Sequence, residues 1–291
     1  MYSYQTKRLP KETIEIDLTI PSSDITRERA IALTRLAKEI TIEGFRKGNV
    51  PEAIAEKHLK QEEIYQEMIK VVLPQIYEEI VKKEKIMPIM SPKIQLTSAK
   101  ENEDWKIKIA VCEKPKIELG DYKKVIKEVK GEAKKADIWV PGKTPGTAEE
   151  KKNQEEAKSR QINEVLEAIL KTAKIEIPDL IIEDELNHRL SRLVDDVQKI
   201  GLTTEQYLKS KNLTMEVLKS QFKREIEDTY KLEFLLAEVA DKEGIKVEKE
   251  DLNKLFVNIK DQKEKDKAMA NSYYYATILR KQKTIDFLIS I

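Results

Sequence analysis

The sequence predicts an α+β N-terminal domain, a small antiparallel sheet with long helices, followed by an elongated all-α domain. Three observations carry that prediction. Residues 11–21 and 105–111 alternate apolar and polar side chains, the period of half-buried strands. Between them, and through most of the chain after residue 148, apolar residues recur at helical spacing. Gly (8) and Pro (10) are scarce in 291 residues, so long helices meet few breakers.

In the first strand Ile14, Ile16, Leu18 and Ile20 share one face, with Thr13, Glu15, Asp17 and Thr19 on the other. Pro21 stops it, and Ser22, Ser23 and Asp24 offer N-cap side chains to the next helix. Ile25, Leu33, Leu36, Ala37 and Ile40 line that helix, and Gly44 is expected as its C-cap. Pro51 falls at the first turn of a short helix over residues 52–58. A longer helix spans 62–83, with Ile64, Met68, Val71, Val72 and Ile76 on its apolar side; Pro74 should kink or divide it. A strand over 89–98 contains Pro92, which argues for a sheet edge. In the strand 105–111, Trp105, Ile107, Ile109 and Val111 alternate with Lys106 and Lys108 and close a domain over residues 1–112.

Residues 113–147 read as a connector, punctuated by Pro115, Gly120, Gly131, Pro141, Gly142, Pro145 and Gly146. A helical domain over 148–291 follows. Ile162, Val165, Leu166, Ile169 and Leu170 line one helix, and a second runs over 180–199. Residues 201–205 read as a helix stop and restart, and Gly244 ends a long amphipathic helix over 216–241. The mixed charges of residues 260–267 suit a solvated helix face or turn. Tyr273, Tyr274 and Tyr275 lie on the last helix; three adjacent residues do not share one helix side, so at least one is expected to be exposed.

Charge and chemistry exclude several classes. With 54 basic and 53 acidic residues, and no basic excess in either part, the chain does not look like a nucleic-acid-binding domain. Cys112 is the sole cysteine, so no internal disulfide forms, and it is expected as a buried thiol. The first residues hold no apolar signal-peptide core and no run approaches a membrane span, which points to a cytoplasmic protein without a membrane partner. His58 and His188 stand alone, without metal-ligand spacing. Gly142-Lys143-Thr144 resembles the tail of a phosphate loop, but Asp137 occupies the place of its first glycine, and Pro141 and Pro145 argue against the cradle. The expectation is no catalytic residue, no metal and no cofactor.

The informative segment is Gly44-Phe45-Arg46-Lys47-Gly48-Asn49-Val50-Pro51. Two glycines let a short loop turn sharply between helices, thrusting Phe45 outward as an apolar anchor and Arg46 as a forked donor for carboxylate or phosphate. Lys47 adds charge. From Arg27 to Lys47 six basic side chains face three acidic ones, a modest positive tip suited to a large anionic particle and to salt-sensitive binding. Gly44-Phe45-Arg46-x-Gly48-x-x-Pro51 resembles the ribosome-binding signature of trigger factor, the bacterial chaperone of the nascent-chain exit. Five fixed positions arise by chance in roughly one chain of this length in ten thousand.

The resemblance extends over most of the chain, including Ile177-Pro178, residues 201–208 and Asp241-Lys242-Glu243-Gly244-Ile245. It implies ribosome contact through Gly44, Phe45, Arg46, Lys47, Gly48 and Pro51. It also implies a helical substrate-binding domain, a body with arms, that holds nascent or unfolded polypeptides, and a possible homodimer off the ribosome. Members usually carry a peptidyl-prolyl isomerase domain similar to FK506-binding proteins, and residues 113–147 are too few for it. The implied function is an ATP-independent holdase without an enzymatic step, with Tyr273, Tyr274 and Tyr275 as candidate substrate contacts. The alternatives are a ribosome-independent holdase of SurA type, an isomerase with an unrecognised site, and direct RNA binding.

Overall fold

The computed structural model describes residues 2–100, 103–136, 148–257 and 261–291. Its contacts divide it into two compact units, residues 1–114 with 178–181, and residues 115–177 with 182–291.

In the first unit, strands Ser3–Leu9 (β1), Thr13–Ile20 (β2), Lys93–Ser98 (β3) and Trp105–Cys112 (β4) form one antiparallel sheet in the order β1-β2-β4-β3. Alternation fixes its register: Ile14, Ile16, Leu18 and Ile20 stand opposite Val111, Ile109, Ile107 and Trp105, so both central strands put their apolar sides on one face. That face packs in one core with residues of helices Ser22–Glu39 (α1) and Gln61–Glu84 (α3), through Ile25, Ala32 and Leu33, and Ile64, Met68, Leu73, Ile76 and Ile80. Between these helices lies Glu52–His58 (α2). β3 takes the sheet edge expected from Pro92, and it begins after that proline.

Several expectations need correction. β1 was not anticipated; it joins β2 through a tight turn whose central residues, Lys11 and Glu12, both have positive φ. α1 begins at Ser22 with Pro21 as N-cap, and the Ser22 N–H donates to Asp104 instead of to a cap side chain. The same helix ends at Glu39 with Ile40 as C-cap, so Gly44 is a loop residue and not the C-cap. Pro51 stands one place outside α2, as its N-cap. Pro74 does not divide α3, which continues to Glu84.

In the second unit, strand Ile117–Glu118 (β5) and helix Tyr122–Ala136 (α4) occupy part of the expected connector, and Gly131 sits inside α4. Helix Ala148–Thr172 (α5) follows, then strand Lys174–Ile175 (β6), which pairs with β5. The remaining helices are Asp179–Lys199 (α6), which belongs to this unit from residue 182, Thr204–Ser210 (α7), Met215–Lys242 (α8), Lys249–Val257 (α9), Gln262–Ala270 (α10) and Ser272–Ser290 (α11). α5 packs against α4, α8 and α11. This places Ile126, Val165, Ile169, Leu235, Val239 and Leu288 in the interior. The predicted stops hold: Gly201 and Gly244 take positive φ just beyond α6 and α8. Leu202 N–H reaches Val197 O, and Ile245 N–H reaches Ala240 O, satisfying the last carbonyls. Thr203 caps α7, its hydroxyl accepting from Gln206 N–H while the Gln206 side chain accepts from Thr203 N–H. The α+β unit followed by an all-α body is the predicted fold class.

Candidate functional site

The loop between α1 and α2 is built from two consecutive turns. Phe45 N–H donates to Ile42 O at 3.1 Å, and Asn49 N–H donates to Arg46 O at 3.0 Å. The third residue of each turn is a glycine with positive φ, Gly44 at +88° and Gly48 at +90°, as a type II turn requires. Side-chain crowding does not explain the choice of Gly44, since a Cβ there would meet nothing within 4 Å. The backbone conformation does.

Beneath the turns the loop is anchored. Val50 is buried with Ala37 and Ala55, and Ile40, Ile42, Ile54 and Leu59 pack around them. Two polar contacts tie α1 to α2: Thr34 Oγ1 donates to Glu52 at 2.6 Å, and Arg29 pairs with Glu56 at 2.8 Å. The Arg29 guanidinium also lies 6.0 Å from the centre of the Tyr65 ring, which meets Trp105 edge-on at 5.0 Å. The loop base is thereby joined to the sheet core.

Residues 43–49 are all exposed. Phe45, 37% exposed, is not folded back into the core. Among the described residues no carboxylate pairs with Arg46 or Lys47. An aromatic ring and two free cations therefore share one tip on a braced base. A surface of this kind can place its ring against an apolar patch while the guanidinium grips phosphate or carboxylate. Sequence reading picked out Gly44, Phe45, Arg46, Lys47, Gly48 and Pro51 but missed the anchor Val50 and the Thr34–Glu52 and Arg29–Glu56 links. Val50, the one aliphatic residue between Gly48 and Pro51, was the available signal.

The second candidate group lies on α11. Tyr273 is 87% and Tyr274 63% exposed, whereas Tyr275 packs edge-on against Phe256 of α9 at 5.5 Å. Val257, Met269 and Ile278 on the neighbouring helices and α11 are exposed as well. His58 is exposed and His188 lies beside Asp184 at 3.7 Å. Among the described residues no group of three or more His, Cys, Asp and Glu is placed to hold a metal, and no helix is long and apolar enough to cross a membrane. Gly142-Lys143-Thr144 and Asp137 lie outside the described residues.

Comparison with known proteins matches both parts of the chain to one family. Residues 2–139 match the family described as "Bacterial trigger factor protein (TF)", and residues 147–290 match "Bacterial trigger factor protein (TF) C-terminus". The chain belongs to the trigger factor family of chaperones. Trigger factor of Streptococcus pneumoniae strain Hungary19A-6 is 31% identical over 171 residues, 58% of this chain and 36% of that protein. The strain D39 / NCTC 7466 protein is 30% identical over the same shares. The match thus spans about a third of these relatives' length. A solved structure described as "Promiscuous Substrate Recognition in Folding and Assembly Activities of the Trigger Factor Chaperone" superposes on 98% of this chain and 99% of its own, with a TM-score of 0.63 at 16% identity. That likeness establishes the shared fold.

Proposed function

We propose that this chain docks near the polypeptide exit of the ribosome through residues 44–51 and holds nascent or unfolded polypeptides in its helical domain, in the cytoplasm, without ATP and without a catalytic step. The observation that carries this reading is the exposed Phe45-Arg46-Lys47 tip on a braced two-turn loop. A ribosome surface offers both protein carboxylates and RNA phosphate, and the planar Arg46 fork suits either, with Phe45 supplying the apolar contact.

We assign docking to residues 1–112 and holding to residues 148–291. Exposed apolar side chains spaced over several helices bind an extended chain weakly at each point and tightly in sum. Tyr273 and Tyr274 fit that role with Val257, Met269 and Ile278; Tyr275, packed on Phe256, supports them. Residues 113–147 are too few for an isomerase domain of the usual kind, and we assign no proline isomerisation to this chain.

The test is co-sedimentation with bacterial ribosomes, comparing wild type with Phe45→Ala/Arg46→Ala/Lys47→Ala. The variant should stay in the supernatant yet still suppress aggregation of an unfolded client. Equal pelleting of both proteins refutes docking through this loop, and loss of aggregation suppression refutes the division of labour.

A further inference from the structure

The first sheet has two edges, β1 and β3, and the β3 edge exposes apolar side chains. Among the described residues β3 pairs only with β4, leaving one side of its backbone without a strand partner. Ile94 and Leu96 are 47% and 44% exposed, although their cross-strand neighbours Ile109 and Ile107 are almost fully buried. The apolar face of the sheet therefore continues one strand beyond its helical cover. On the opposite face of the same edge, Lys93 and Gln95 register with Ala110 and Lys108, and Lys106 with Ser98. Lys93, Lys106 and Lys108 thus lie on the face away from Ile94 and Leu96. Lys108 reaches Glu15 at 3.1 Å, while Lys106 has no carboxylate partner among the described residues.

Sheet edges are ordinarily blunted by charge, proline or bulges. Here Pro92 precedes the strand and a register shift falls between Leu96 and Ser98, so the open stretch between them is short. We propose that this stretch takes up an extended segment of unfolded polypeptide as a fifth strand, selecting segments that alternate apolar and acidic side chains. Strand addition satisfies the free backbone groups, and the alternating faces confer selectivity. Apolar residues of the guest would cover Ile94 and Leu96, and its acidic residues would lie along Lys93, Lys106 and Lys108. A second copy of this chain fits less well. Antiparallel self-pairing centred on Gln95 would bring the three lysines of both copies onto one face. A strand of six residues also falls short of the roughly 1,000 Å² that a lasting dimer needs. The inference rests on reading the chain as a holder of unfolded polypeptide and adds a capture site outside the helical domain.

The experiment uses the full chain and labelled peptides of about eight residues, one alternating Val with Asp and one alternating Val with Lys. Fluorescence anisotropy gives affinity, and hydrogen exchange locates the bound peptide. The acidic peptide should bind at least about tenfold more tightly, slow exchange within residues 93–98, and lose affinity by a similar factor in Ile94→Lys/Leu96→Lys. Lys106→Glu should weaken the preference for the acidic peptide, and this single exposed change decides the matter if circular dichroism shows the double variant to be misfolded. Unchanged binding in the folded double variant, or protection confined to α11, overturns the proposal. Protection of β3 that rises with protein concentration and needs no peptide also overturns it, in favour of a second copy. Wild-type suppression of client aggregation, measured alongside, separates the two readings. If suppression persists while β3 binds nothing, only the strand proposal falls; if suppression is absent too, the holdase reading falls with it.

Discussion

Gly44 and Gly48 stand four residues apart in the same backbone state, each the positive-φ third residue of a hydrogen-bonded turn, and together they set the path of the loop that carries Phe45, Arg46 and Lys47. A side chain at either position meets little: nothing within 4 Å at Gly44, and the Lys38 carbonyl oxygen at 4.0 Å for Gly48. Gly44→Ala and Gly48→Ala should each cost about 1 kcal/mol through backbone strain alone. Denaturant unfolding should register that loss with helix content unchanged, and ribosome affinity should fall because the tip is re-aimed.

The Tyr77 hydroxyl is buried without a hydrogen-bond partner among the described residues, and burial raises its pKa. A donor left unsatisfied costs stability that its removal returns. Tyr77→Phe should therefore leave the first unit as stable as wild type or more stable by up to about 1 kcal/mol. Denaturant titration with an unchanged m-value checks this, and a clear destabilisation would mean that the hydroxyl finds a partner in solution.

Glu243 closes the end of α8 onto α4. It pairs with Lys123 at 2.8 Å and accepts from the Tyr122 hydroxyl. The Lys123 hydrogen bond, then that of Tyr122, hold its carboxyl below the usual glutamate value. A carboxylate depressed in the folded state contributes stability above its unfolded pKa of about 4.3 and loses it as the pH falls through the folded pKa. Wild type should melt above Glu243→Gln at neutral pH, and the gap should close below about pH 4. A gap independent of pH would show that the charge is not what matters.

Burial pushes the Cys112 thiol up to about 11. Fewer than about one in a hundred such thiols ionise at mildly alkaline pH, and the thiolate is the reactive form. Native protein should resist thiol reagents that label it fully in denaturant. Rapid labelling of the native chain would show that the end of β4 opens.

Much of this fold is written in periodicity. Strict alternation identified β2 and β4 because one buried face dictates every second residue, and Gly201 and Gly244 marked helix ends because positive φ there admits few other residues. β1 escaped notice for physical reasons. It is a largely exposed edge strand, and its turn uses Lys11 and Glu12 where such turns ordinarily favour Asn or Gly. The helix α4 escaped because Gly131 reads as a breaker, yet burial of Tyr122 and Ile126 outweighs the roughly 1 kcal/mol that an interior glycine costs. At the loop, the residues proposed for contact stand out in the sequence because their types are distinctive. The brace was not, because Thr34–Glu52 and Arg29–Glu56 join positions that only the packing of α1 on α2 brings together.

The most direct test of the central claim is an equilibrium titration of labelled protein with ribosomes at low and raised salt, for wild type and Phe45→Ala/Arg46→Ala/Lys47→Ala. The account predicts that wild type binds with an affinity that falls as salt rises, and that the variant binds at least about a hundredfold more weakly at low salt. Affinities for the two proteins that agree within about twofold at low salt would contradict it.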